Sequence, residues 1–234
     1  MLVGRNADKL KKAEQEVKKA NNKIKTKTYQ FDFTKNSRIE DYTKLEADLS
    51  DLDISILVNM AGIIQKNSLA DCPVELLKEI TETNVNGVGF LSKIFCDRFM
   101  KREKRSAIIN ISSQSGYAPC PLSAVYGASK AYIRSFTKAM GYEVSDKVDV
   151  MVHSPGYVHT SMTNFPTGHN VAEPIDCCKA IFRDIGYERE NSPIIAQEFE
   201  VFYVMNLFKI SESFVLYALY KMFKADMEKE RKTE

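Results

Sequence analysis

The sequence lacks the features that would tie it to a metal, a disulfide framework or a nucleic acid. Its five cysteines are odd in number and form no CxxC pair, and its three histidines lack metal-ligand spacing. We therefore expect free thiols in a reducing, intracellular compartment and no metal site. The formal net charge is only +2, and the basic run KREKR at residues 101–105 is typical of a solvated helix end. No nucleic-acid partner is expected.

Long apolar segments are absent as well. No apolar run follows Met1, so no secretory signal peptide is expected. The most apolar region, residues 199–223, is interrupted by Lys209 and Glu212. Each of its uncharged runs is too short to span a bilayer.

What the sequence contains is a regular alternation of strand and helix patterns. Apolar runs predict strands at residues 27–33, 54–58, 107–112 and 148–154, and the run at 54–58 is of the type buried on both faces of a parallel sheet. Helical periodicity predicts helices at residues 7–20, 37–49, 73–104, 124–145 and 175–186. Ser37 and Glu40 fit a capping box.

This alternation predicts an α/β fold, a Rossmann-like doubly wound parallel sheet flanked by helices. The chain has 234 residues, of which 44% are hydrophobic, and this suits one domain spanning residues 1–234. Residues 193–234 are expected to form a helical cover or tail.

Polar side chains follow several of the predicted strands at the point where each strand ends. They are Asp32, Asn59, Ser113 and the pair Pro155-Gly156. Ligands bind outside the carboxyl ends of the strands in such sheets. This edge is therefore the predicted site.

Tyr126 and Lys130 are four residues apart on a predicted helix, so they lie on one face. A free phenol has a pKa of about 10, and a nearby ammonium stabilises the phenolate and lowers that pKa. Ser113 could then hydrogen-bond a carbonyl oxygen while the tyrosine transfers a proton. Taken singly, the Tyr-Lys pair also fits a solvated helix face, and Ser113 fits a turn or a cap.

Together, NISSQSG at residues 110–116 and YGASK at residues 126–130 resemble the active-site segment of the classical short-chain dehydrogenase/reductase family. The resemblance covers residues 2 to about 186. It implies a catalytic triad of Ser113, Tyr126 and Lys130, with the tyrosine as proton donor. TNVNG at residues 83–87 looks like another family motif, in which Asn84 would complete a tetrad. The implied reaction is hydride transfer between a nicotinamide and a carbonyl or alcohol carbon.

The resemblance also implies cofactor contacts. VNMAG at residues 58–62 is similar to the segment beside the adenosine ribose, with Met60 in place of an asparagine. SPGYVHT at residues 154–160 is similar to the segment that holds the nicotinamide, and Tyr126 and Lys130 would bind near the same ring. The implied cofactor-binding residues are Asp32, Asn59, Ala61, Gly62, Tyr126, Lys130, Pro155, Gly156, Val158 and Thr160.

Arg5 bears on the choice of cofactor. It follows the apparent strand LVGR, where an acidic residue would bind a ribose 2′-hydroxyl and an arginine accommodates a 2′-phosphate. We therefore expect NADP(H) rather than NAD(H). The alternative is an ordinary arginine at the start of a helix.

A glycine-rich phosphate loop should stand about 20 residues before the ribose-binding position, but only four residues precede Arg5. The first strand, its glycine turn and the first helix of the expected fold are therefore missing from the sequence. Either the sequence is an incomplete version of a full enzyme, or a shortened protein retains the catalytic residues and binds cofactor poorly. The second reading gives the alternative function, a non-catalytic scaffold or partner subunit.

Within the family, LVGRNADKL, YGASKAY and the apolar tail look most like the hydroxysteroid dehydrogenase and very-long-chain 3-oxoacyl-CoA reductase branch. This implies a hydrophobic ketone or alcohol as substrate, in the cytoplasm or at the endoplasmic reticulum membrane. The aromatic tail could cover the core or a subunit interface, form a substrate lid, or contact a membrane peripherally. By analogy, the long helices at residues 73–104 and 124–145 would form a homodimer or homotetramer.

Overall fold

The computed structural model describes residues 1–160, 168 and 170–231 of the chain. The described strands are Leu2–Gly4 (β1), Thr28–Gln30 (β2), Ile56–Asn59 (β3), Ser106–Ile111 (β4), Val148–His153 (β5), Tyr157–Val158 (β6), Val171–Ala172 (β7) and Glu190–Asn191 (β8). The described helices are Ala7–Ala20 (α1), Ile39–Ala47 (α2), Val74–Ile80 (α3), Gly87–Met100 (α4), Ala124–Glu143 (α5), Pro174–Asp184 (α6), Ile195–Ile210 (α7) and Glu212–Arg231 (α8).

The main sheet has four parallel strands in the order β3-β4-β5-β8. A second parallel pair is formed by β1 and β2, and a third by β6 and β7. The α/β class and the parallel sheet flanked by helices are confirmed. Among the described residues, however, no strand lies between β1 and β3 and pairs with both. The β1–β2 pair is therefore separate from the four-stranded sheet that begins at β3.

Alternate residues of β4 and β5 pack on opposite sides of the main sheet, because successive side chains of a strand point to opposite faces. On one side, Ile108 joins a core with Tyr42 of α2 and Phe95 of α4. On the other side, Ile109 packs with Met151 and Ile181 of α6. Helices therefore cover both faces at the centre of this sheet.

Strand β3 corrects one expectation. The apolar run that forms it was expected to be buried on both faces, but Ile56 is 49% exposed and Val58 is 44% exposed. Leu57, between them, packs against the core that includes α4. Since no described helix covers the opposite face, the run is buried on one side.

The predicted helix at residues 73–104 is interrupted in the middle. Helices α3 and α4 are joined by a π-helical turn, Thr81–Asn86, which contains Asn84. Such turns widen a helix locally and are frequent at functional sites.

The start of α2 also differs from the prediction. The helix begins after Arg38, whose N–H donates to the carboxylate of Asp41 at 3.3 Å. The predicted capping pair Ser37 and Glu40 is therefore wrong by one residue, because the helix starts one residue later and Asp41 stands three residues after the cap.

Helices α7 and α8 follow each other with one residue between them and contact each other. Their outer side carries exposed aromatic rings: Phe199, Phe202, Tyr203, Phe214 and Tyr217. No helix in the described part of the chain is both long enough and apolar enough to cross a membrane.

Candidate active site

Ser113 lies at the edge of the main sheet where β4 and β5 end. The strand pairing continues past β4, since Ser112 N donates to His153 O at 2.8 Å and Gln114 N donates to Pro155 O at 2.9 Å. Ser113 is thereby placed beside the segment Pro155-Gly156. Its Oγ accepts a hydrogen bond from Ser115 N at 3.2 Å.

Helix α5 carries Tyr126 and Lys130, and its first turn is fixed by a buried glutamine. Gln65 Oε1 accepts from Val125 N at 3.1 Å, and Gln65 O accepts from Ser123 Oγ at 2.7 Å. Sequence reasoning missed this residue, because a single glutamine in a loop gives no local signal.

Tyr126 and Ser113 line the same cavity. Burial raises the pKa of Tyr126 above its ordinary value of 10.0, and a hydrogen bond with Ser113 lowers the pKa without offsetting burial. The expectation was a lowered tyrosine pKa, and the structure gives a raised one. The physical reason is that removal of the phenolate from water outweighs its stabilisation by nearby groups.

Lys130 is 5% exposed, and burial lowers its pKa from 10.5 to about 8. Its Nζ donates to Ile111 O at 2.9 Å. An ammonium has three N–H bonds, and among the described residues no second acceptor hydrogen-bonds to this one. Two donors are left for a ligand or for water.

Asn84 connects the π-helical turn to α5 and to the loop after β3. Its Oδ1 accepts from Ile63 N at 2.9 Å, and its Nδ2 donates to Ile63 O at 3.0 Å and to Ser129 Oγ at 3.0 Å. A Cβ added to Gly62 would stand 3.5 Å from Asn84 Oδ1 and 3.6 Å from Lys130 Nζ. Asn84 and Lys130 therefore both lie beside Gly62.

Asn59 and Ala61, two further residues predicted to contact the cofactor, lie at and just after the end of β3. The side chain of Asn59 points into the core, where Nδ2 donates to Asn110 Oδ1 at 2.8 Å and to Ser92 Oγ at 3.2 Å. Only its backbone is left to face a ligand. Ala61, two residues on, is exposed.

The second predicted contact segment lies beside Ser113. Gly156 lines the cavity, Val158 belongs to β6, and Thr160 is exposed beyond it. Gly156 is closely packed, since a Cβ there would stand 2.4 Å from Gln114 Oε1.

Arg5 and Asp32 belong to the separate β1–β2 part of the fold. Arg5 is exposed after β1, and its carbonyl accepts from Gln30 Nε2 at 3.0 Å. Asp32 Oδ1 accepts from Thr34 N at 3.1 Å and from Thr34 Oγ1 at 2.8 Å, which fixes a turn after β2. Neither side chain lines the cavity that contains Ser113 and Tyr126.

The cavity has a volume of about 200 Å³. Ser113 and Tyr126 line it, and so do the charged residues Lys66, Glu200 and Asp226. Much of the remaining wall comes from apolar side chains of α7 and α8. These are Val201, Val204, Met205, Leu219, Met222, Phe223 and Met227. Sequence reasoning included Met205 and Leu219 in the aromatic and apolar tail without assigning them to a pocket.

The described residues contain no cluster of three or more His, Cys, Asp or Glu side chains that could hold a metal ion.

A family model described as short chain dehydrogenase matches residues 1–168. The chain belongs to this family. It is 33% identical over 193 residues, 80% of this chain and 56% of the relative, to the very-long-chain 3-oxoacyl-CoA reductase of Ajellomyces capsulatus (strain NAm1 / WU24). It is 31% identical over 180 residues, 75% of this chain and 57% of the relative, to the 17-beta-hydroxysteroid dehydrogenase type 3 of Rattus norvegicus. The chain thus spans about half the length of the curated relatives it matches.

Solved structures show the same fold. A 7beta-hydroxysteroid dehydrogenase structure superposes with a TM-score of 0.80 at 25% identity, covering 93% of this chain and 84% of the other. A short-chain dehydrogenase from Sphingobium yanoikuyae, solved in complex with NADPH, superposes with a TM-score of 0.72 at 23% identity, covering 90% and 84%. The predicted family is confirmed, and so is its fold.

The family binds a nicotinamide dinucleotide, and the residues predicted to contact its nicotinamide half fit such a group. Lys130 has two N–H donors available, and Gly62 leaves the space beside Lys130 and Asn84 without a side chain. At the pyrophosphate end, none of the ten glycines forms the phosphate-binding fingerprint. The residues present therefore fit the nicotinamide half of the cofactor, and no glycine-rich segment fits its pyrophosphate.

Proposed function

We propose that this chain carries the catalytic site of an NADP(H)-dependent oxidoreductase that acts on a hydrophobic ketone or alcohol. One observation carries the proposal: Ser113 and Tyr126 line the same cavity as a group of apolar side chains from α7 and α8. A bound nicotinamide supplies or accepts the hydride. The protein orients the substrate and handles the proton.

Ser113 and Tyr126 would bind the substrate oxygen. Ser113 would donate a hydrogen bond to it, and Tyr126 would donate the proton in reduction or remove it in oxidation. Burial raises the pKa of Tyr126, so the phenol is protonated at neutral pH, and donation of its proton would need a bound group that stabilises the phenolate.

Lys130 and Asn84 would assist proton transfer by Tyr126. The Lys130 ammonium lies close to the tyrosine ring and would bind the nicotinamide ribose with its two available donors. Asn84 holds the backbone of Ile63 and, through Ser129 Oγ, the turn of α5 that bears Tyr126. Asn84 would hold in place a water molecule that relays the proton to or from the Lys130 side of Tyr126.

The remaining cofactor contacts would come from the backbone of Asn59, Ala61 and Gly62 and from the segment Pro155–Thr160. Arg5 supports NADP(H), because its exposed guanidinium after β1 matches the position that accommodates a 2′-phosphate. Asp32 would contact the adenine.

The apolar walls support a hydrophobic substrate, such as a steroid ketone or a 3-oxoacyl thioester. The exposed aromatic side of α7 and α8 supports peripheral contact with a membrane as well.

The test is calorimetric titration of NADPH into the chain, followed by assays of NADPH oxidation with a ketosteroid and with a 3-oxoacyl thioester. Micromolar binding and turnover of either substrate are expected. A folded chain that binds no NADPH would contradict the proposal and support the alternative, a non-catalytic partner subunit.

A further inference from the structure

One buried side chain, Gln197, attaches helix α7 to the segment that follows β5. Gln197 is 0% exposed and stands in the first turn of α7. Its Oε1 accepts from Gly156 N at 2.7 Å, and its Nε2 donates to Tyr157 O at 2.8 Å and to Asn170 O at 3.2 Å. The amide thereby uses its acceptor and both donors.

The backbone N–H of Gly156 has its hydrogen-bond acceptor in the side chain of Gln197. No backbone carbonyl among the described residues accepts from Gly156 N, so the side chain of Gln197 is what satisfies this N–H. Gly156 is partly buried, and an apolar side chain at position 197 would leave its N–H without this acceptor, which costs free energy.

The same helix lines the cavity. Val201 and Val204 follow Gln197 by one and two turns and form part of the apolar wall. Gln114, next to Ser113, donates through Nε2 to Gln197 O at 2.6 Å. The first turn of α7 thus contacts the Gly156 segment and the neighbour of Ser113, while its next turns contact the cavity.

We propose that Gln197 is a positioning residue. It fixes the position of the Gly156 segment relative to the cavity-lining side of α7, so that the nicotinamide and the substrate bind next to each other beside Ser113. The proposal rests on the proposed function, in which residues 155–160 contact the nicotinamide. Gln197 acts through Gly156 and Tyr157 and does not itself line the cavity.

The first test needs no ligand. Hydrogen exchange of the Gly156 amide is measured in the full chain and in a Gln197→Met variant, which keeps the volume and loses all three hydrogen bonds. We expect a protected Gly156 amide in the wild type and exchange about threefold to tenfold faster in the variant, with β5 unchanged. An unprotected Gly156 amide in the wild type overturns the proposal, even if the variant fails to fold.

The second test separates positioning from a general structural role. NADPH and 2′-phospho-ADP-ribose, which lacks the nicotinamide, are titrated into both proteins. Gln197→Met should weaken NADPH binding about threefold to tenfold and leave 2′-phospho-ADP-ribose unchanged. Equal weakening of both ligands overturns the positioning role.

The matched control is Asn206→Ala on the same helix, where the lost amide donates to Phe202 O within α7. This variant should retain both affinities. If the wild type binds neither ligand, the proposed function fails, while the exchange measurement still decides whether Gln197 holds the segment.

Discussion

The Lys130 ammonium lies 5.6 Å from the centre of the Tyr126 ring and donates a hydrogen bond to Ile111 O. This contact places a cation over the face of the phenol, where it is attracted by the ring. Burial nevertheless dominates both groups, because it raises the pKa of Tyr126 and lowers that of Lys130 to about 8. Burial of the charged lysine therefore costs stability.

That cost predicts the pH dependence of stability. Since the pKa of Lys130 falls from 10.5 to about 8 on folding, the unfolded chain binds more protons between these values. The unfolding free energy of the wild type should rise relative to that of Lys130→Met from pH 8 to pH 10.5. The expected gain is about 3 kcal/mol. Urea denaturation of both proteins across this range measures it.

The control is Lys78→Met, which replaces an exposed lysine of α3. Its difference from the wild type should stay flat over the same range. A flat difference for Lys130→Met as well would show that folding does not lower the pKa of Lys130.

Removal of the phenolic hydroxyl of Tyr126 should abolish turnover and spare cofactor binding. Proton transfer by a positioned side chain contributes about 10²- to 10⁴-fold, so Tyr126→Phe should lower kcat by at least about 100-fold. The ring is retained, so the affinity for NADPH should change less than about threefold. Steady-state kinetics and calorimetry measure the two effects.

Tyr142→Phe provides the comparison, because Tyr142 is on the same helix and exposed. It should retain full activity. Substantial turnover by Tyr126→Phe would show that another group donates the proton.

Much of the fold could be predicted because it depends on local patterns. Helix α1 spans the predicted residues 7–20, and β4 and β5 lie within one residue of their predicted bounds. The meeting of Ser113 with Pro155 and Gly156 could also be predicted, since neighbouring parallel strands end at the same edge. The site roles of these residues, the subunit assembly and the localisation stay predictions.

The rest depends on contacts between distant parts of the chain. Gln65 and Val125 are 60 residues apart, and Gln197 and Gly156 are 41 apart, so no local pattern indicates either hydrogen bond. The exposure of Ile56 and Val58 depends on which elements surround β3, and their apolar character alone indicates a covered strand. The pKa of Tyr126 depends on burial, which the spacing of Tyr126 and Lys130 does not show.

Arg5 should determine the preference between the two nicotinamide cofactors. Its guanidinium would bind the 2′-phosphate, and a hydrogen bond between charged groups contributes about 1.5–3 kcal/mol. Arg5→Ala should therefore weaken NADPH binding about tenfold to 100-fold and leave NADH binding unchanged. Calorimetric titration of both cofactors measures the difference.

Lys9→Ala on α1 is the control for a general loss of positive charge near this position. It should weaken NADPH binding by less than about threefold, because an exposed charge at a distance is screened by salt. Tighter binding of NADH than of NADPH by the wild type would contradict the preference.

The apolar wall of α7 should select substrates by size. Val204 lines the cavity, and Val204→Phe places a ring in a space of about 200 Å³. We expect kcat/KM for a ketosteroid to fall at least about tenfold and that for cyclohexanone to change less than about threefold, because the smaller ketone does not reach the wall. The exposed Phe202, changed to leucine on the outer side of the same helix, should alter neither value. Equal losses for the two ketones in Val204→Phe would mean that the change disturbs Ser113 and Tyr126 and that this wall does not bind the substrate.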